Sequence, residues 1–179
     1  MKFQSMFRTA SVAAVCVAAA FVAGCASPSK PENMVPAAAI AGQHKASTSV
    51  TVAGGKETDS LGKSQISNDA FQQAIVQSIE KNKTFSSVVK GAGGDYQLSV
   101  TVVNMEQPSF GFSFTVKMEA AWSLKKADGT VVMQEVVKSE GTAGATEAFA
   151  GVERLRLANE YAARNNIAAA LEKIGKLNF

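Results

Sequence analysis

The chain has 179 residues and a formal net charge of +3, from 18 lysine and arginine against 15 aspartate and glutamate side chains. Two of the basic residues, Lys2 and Arg8, sit in an N-terminal segment read below as removed, which leaves 16 against 15 and a charge near +1, too little for electrostatic binding of nucleic acid. The single histidine, His44, falls in a polar linker and there are two cysteines in the whole chain, so neither a Cys/His metal site nor a His-based catalytic triad is expected; a carboxylate-only metal site stays open, and no metal or cofactor is assigned.

Behind the basic start, residues 10–22 are apolar except for Ser11. Thirteen residues are too few for a membrane-spanning helix, which needs about 20, but they suit the apolar region of a secretory signal. The segment ends in Val22-Ala23-Gly24-Cys25, which looks like a lipoprotein signal. Small residues before the cysteine admit a peptidase, and a thiolate forms the stable thioether that a serine hydroxyl would not. Cys25 is therefore the expected lipidation site, residues 1–24 the signal peptide, and the membrane the first partner. Cys16 falls within the signal, so the processed chain keeps no cysteine for a disulfide.

Residues 25–45 read as a lipidated N-terminus and flexible tether. Pro28, Pro31 and Pro36 interrupt regular structure, His44 lies near its end, and residues 26–45 could reach about 65 Å when fully extended. Residues 46–179 are read as a single domain.

Within that domain a first strand is expected over 47–53. Ser67 and Asn68 offer N-caps and Asp69 suits the first turn of a helix, in which Phe71, Ala74, Ile75 and Ile79 recur at helical spacing. A short strand follows over 84–89. Gly91, Gly93 and Gly94 then lead through Asp95 into another strand, not into a helix, which argues against a phosphate-binding loop. In that strand Tyr96, Leu98, Val100 and Val102 alternate with polar residues. Beyond Pro108 every even position from Phe110 to Leu124 is apolar, the period of a strand with one buried face. Asp128-Gly129 signals a hairpin, with its partner strand over 130–139. A small-residue stretch over 141–151 precedes a long helix to about residue 176. On it Arg156, Glu160 and Arg164 are spaced for ion pairs along the surface, and Asn159 and Asn166 lie near the apolar face, placed to hydrogen-bond a loop or the first helix.

The order is thus β-α-β-β-β-β-α. The fold class is α+β, in two layers: one mostly antiparallel sheet, two helices on one face, and a mixed polar face opposite that can be solvated. The chain resembles small Gram-negative outer-membrane lipoproteins with a compact α+β periplasmic domain, on the strength of residues 22–25, the helix-and-strand segment 66–89 and the long alternating segment 110–124. That group includes activators of peptidoglycan synthases and partners in lipopolysaccharide export. The resemblance implies an envelope location, and Ala26, where an aspartate would favour inner-membrane retention, implies the outer membrane facing the periplasm. It carries over no functional residue beyond Cys25.

The 110–124 segment is longer than the first helix, so either it bends at Gly111 or its Phe110–Phe112 end projects past the covered core. Phe110 and Phe112 are accordingly the candidate partner-binding residues. The expected function is a non-catalytic binding or assembly module that contacts an envelope protein, glycan or lipid. The alternatives are an envelope enzyme built on carboxylates among Glu106, Glu119, Glu135 and Glu140, or a lipid carrier with a cavity between helices and sheet. No catalytic residue is assigned.

Overall fold

A computed structural model describes residues 25–178; the expected signal peptide, residues 1–24, lies outside them. The elements are a 3-10 turn Pro31–Met34, β1 His44–Ala53, α1 Asn68–Asn82, β2 Phe85–Val89, β3 Tyr96–Glu106, β4 Ser113–Lys126, β5 Val131–Gly144 and α2 Gly151–Gly175. This is the expected α+β order. The strands form one sheet in the order β2-β1-β3-β4-β5.

The sheet is mixed. β3, β4 and β5 form an antiparallel meander, joined at Asp128-Gly129 by a tight turn in which Gly129 N–H donates to Lys126 O and Gly129 takes φ 89°. The mostly antiparallel sheet expected from the sequence is found in this meander, while β1 runs parallel to both its neighbours. The cause is the helix between β1 and β2: it carries the chain back to its starting end, and the next strand must then run the same way.

The helix ends obey their sequence signals. Ser67 Oγ accepts the N–H of Ala70 at 3.1 Å and caps α1, satisfying one of the donors every helix start leaves open. α1 stops where Lys83 adopts φ 54° and its N–H folds back on Ile79 and Glu80. Both helices lie on one face of the sheet, covering β1 and β2 with α1 and β4 and β5 with α2. The core between the layers holds Phe71, Leu98, Met118, Trp122, Leu124, Ile167 and Leu171, all but excluded from solvent. Trp122 meets Phe71 edge-on at 6.4 Å. Its Nε1 donates to Asn166 Oδ1 at 2.9 Å, so the largest core side chain keeps its polar atom paired. Asn166 in turn donates from Nδ2 to Val137 O at 2.8 Å. Gly141 in β5 lies against Ala158 and Ala162 of α2, where a Cβ would overlap the helix backbone; that close approach is why the strand continues through what reads in sequence as a loop.

Residues 26–45 depart from the expected tether. They run as a strap along the helix layer. Ala26 N–H donates to Ser60 O at 3.0 Å and Ser29 N–H to Gln65 O at 3.1 Å. The 3-10 turn packs on both helices and buries Met34 completely. Ile40 N–H donates to Asn82 Oδ1 at 2.8 Å, and Lys81 Nζ to Pro36 O at 2.7 Å. His44 is no linker residue: it opens β1, with its Nε2 2.9 Å from Ile174 O and its ring 5.6 Å from that of Phe85. The prolines therefore shape a laid-down segment; its bonds go to α1, α2 and the 55–67 loop in place of water.

Glu160 fastens this strap. Its side chain is fully buried. It accepts Lys30 N–H at 2.8 Å and Asn33 Nδ2 at 3.0 Å, and it pairs with Arg156, which also pairs with Glu153. The helix-surface ion pair expected for Arg156 and Glu160 is thus an interior one. Arg164 does not extend it, and stacks on the Tyr161 ring at 4.6 Å.

Candidate functional site

β1, β3 and β5 end, and β4, α1 and α2 begin, at one pole of the domain. Three loops collect there: 54–67, 107–112 and 145–150. Gln107 ties two of them to α2. Its Nε2 donates to Ser64 O at 2.8 Å and Asn159 Oδ1 at 2.9 Å, while Asn159 Nδ2 donates to Ser64 O at 2.9 Å. Asn159 thus bonds a loop, as expected, and Asn166 bonds β5 and Trp122, not α1. Lys63 Nζ reaches Ser109 Oγ at 3.2 Å, and Arg154 Nη1 donates to Phe112 O at 3.3 Å with its guanidinium 5.1 Å from the centre of the Phe114 ring. A cleft of about 330 Å³ runs between the loops, lined by residues of all three regions including Lys63, Pro108, Ser109 and Ala150.

The even-numbered stripe divides here. Phe114, Val116, Met118, Ala120, Trp122 and Leu124 are buried, whereas Phe110 is 89% and Phe112 88% exposed. The strand starts at Ser113, paired with Gly144 at the end of β5; before it the sheet offers no partner, and α2 begins only at Gly151 beneath Phe114. Gly111 takes φ 142°, a conformation that glycine adopts without strain. Both aromatics therefore project as expected from one of the two readings, but on a loop, not a strand. Leu61, 94% exposed, and Phe149, 92%, join them. Neither belonged to a periodic pattern, so periodicity had no means of finding them. Cys25 is exposed and directly precedes Ala26, whose N–H bonds Ser60 O in the loop that carries Leu61. Cys25, the expected lipidation site, and the candidate binding residues thus share one pole.

Substituting Phe110 and Phe112 together by serine is expected to leave the unfolding free energy within about 1 kcal/mol, as for exposed positions generally. A loss above about 2 kcal/mol in chemical denaturation would show that these rings pack in the folded protein.

Acidic groups brace the third loop. Glu147 accepts Gly144 N–H at 2.9 Å and the Tyr161 hydroxyl at 2.8 Å, which together hold its carboxyl below the usual range. Glu153 is lowered chiefly by its hydrogen bonds from Arg156. For a carboxyl depressed on folding, the unfolded chain takes up protons first. The stabilisation is complete above the ordinary glutamate pKa of about 4.3 and is lost as pH falls through the native values. The melting temperature should accordingly be level from about pH 7 to 5 and decline below about 4. Greater stability on acidification would contradict these pairings.

The acids considered for catalysis lie among lysines. Glu119 pairs with Lys138 at 2.8 Å, Lys117 lies in register between Glu106 on β3 and Glu140 on β5, and Glu135 pairs with Lys173. Among the described residues no group of three or more histidine, cysteine or acidic side chains is placed to hold a metal. Nor is any helix among them long and apolar enough to cross a membrane.

No protein-family model matches the chain, and no curated protein does. Solved structures do match. A Xanthomonas campestris protein assigned to the family DUF330 superposes with a TM-score of 0.57 at 15% identity, covering 84% of this chain and 93% of its own. A Caulobacter crescentus protein described as a candidate lipoprotein gives 0.50 at 14% identity, with 72% and 87% covered. A Chlamydia trachomatis protein, CT253, gives 0.51 at 6% identity, with 73% and 98% covered. The chain shares their fold. At such identities the likeness is one of architecture, and architecture alone does not fix function.

Proposed function

We propose that this chain is a lipid-anchored envelope protein, held through Cys25 in the outer membrane facing the periplasm, and that it works as a non-catalytic binding and assembly module. The observation that carries the reading is the placement of Cys25. A cysteine preceded by a signal-like segment and two small residues is exposed at the pole where the candidate contact residues Phe110 and Phe112 also project. The shared fold with a candidate lipoprotein of another bacterium supports it. The acids of the sheet face are matched with lysines, an arrangement that suits a solvated surface better than a reaction centre. The space between helices and sheet is filled by side chains such as Trp122, Phe71 and Met118, which favours a contact surface over a carrier's cavity.

The test is crosslinking of the full lipoprotein in intact cells followed by mass spectrometry. One stoichiometric envelope partner is the expected result. Turnover of a defined substrate by the purified protein would replace the binding role with an enzymatic one.

A further inference from the structure

Among the described residues the four large apolar side chains with the greatest exposure are Leu61, Phe110, Phe112 and Phe149. They come from three separate loops, yet all lie at the pole where Cys25 emerges. Water is a poor environment for such a cluster. Two of these loops are held by polar bonds beneath, through Gln107, Asn159 and Ser64, and the third is braced by Glu147 on Gly144 and Tyr161, so these side chains belong to a fixed surface of the fold.

The strap sets how far that surface can stand from lipid. Ala26 is bonded to Ser60 and Ser27 O accepts Ser64 Oγ at 2.7 Å. The chain is therefore pinned to the pole directly after Cys25. Acyl chains on that sulfur leave no spacer between the bilayer and these loops.

We propose that this pole sits in the bilayer interface, with Leu61, Phe110, Phe112 and Phe149 entering the headgroup and acyl boundary around the acylated Cys25. The strands then point their ends at the membrane, and the domain has one fixed orientation on it. The inference rests on the lipoprotein reading above and deepens it by naming the lipid surface as the occupant of the apolar tip. Charge does not drive the contact. Lys56, Lys63 and Arg154 lie at this pole together with Glu57, Asp59 and Glu147, so the surface suits zwitterionic lipid as well as anionic lipid. The opposite pole, with the Asp128-Gly129 turn and Lys126, offers a polar surface instead.

The experiment uses the full acylated protein in phosphatidylcholine vesicles. Once Cys25 is acylated the processed chain has no free thiol, so Phe112→Cys and Asp128→Cys each accept one fluorophore. The label at position 112 should be quenched about fivefold more by doxyl-lipid than the label at 128, and shielded from aqueous iodide, as interfacial burial demands. Equal iodide access at both positions in fully acylated protein overturns the inference and leaves the anchor standing. A label at 112 hidden from both quenchers also overturns it, because protein then covers the tip. An intact mass without acyl groups overturns the anchor and this inference together.

Discussion

Glu160→Ala should lower the unfolding free energy by about 3–5 kcal/mol, the range seen when one partner of a buried ion pair is removed. The glutamate is fully buried and its two oxygens accept Lys30 N–H, Asn33 Nδ2 and the Arg156 guanidinium. Alanine leaves all three donors facing a space that water fills poorly, and Arg156, itself buried, keeps only Glu153. Strap bonds to Ser60, Gln65 and Asn82 remain, so the first consequence is loosening of residues 26–40, followed by global loss. Urea unfolding monitored at Trp122 gives the total, and amide exchange of Lys30 reports the strap separately. A change below about 1 kcal/mol would mean that the carboxylate's desolvation cancels what its bonds contribute.

Cys25→Ser should abolish fatty-acid labelling and leave the signal uncleaved, so that the precursor accumulates 24 residues longer than the processed form. The effect is all-or-none because the thioether comes from a thiolate and nothing else in the processed chain supplies one. Each buried methylene of an acyl chain contributes about 0.8 kcal/mol, and two or more chains hold a protein on the membrane stably. Labelled, normally cleaved serine variant would remove the basis for the anchor and for the orientation built on it.

The parts of this fold that repeat were legible. Period two in β3 and β4, helical spacing in α1, the Ser67 cap and the Asp128-Gly129 turn are local patterns, and each formed where local chemistry places it. What the sequence did not disclose depends on distant partners. β1 lies parallel between β2 and β3 because of where α1 packs, which no window of residues records. The strap reads as a tether because prolines and alanines carry no periodicity; its order comes from Glu160 and Asn82. Glu160 reads as a surface residue because its i,i+4 spacing from Arg156 is that of a solvated pair, and only the strap laid over it makes it interior. At the pole, Phe110 and Phe112 were marked by their stripe, while Leu61 and Phe149 sit in loops where single apolar residues carry no signal.

The bond from Lys30 to Glu160 joins residues 130 apart, and β1, the earliest strand, lies inside the sheet. A chain built this way cannot finish its structure from the front. Its leading segment has no seat until the last helix has been made, and such distant closures slow folding. The consequence is a fold whose front edge is fastened last: the strap over α2 can shut only after the far end of the chain has been made.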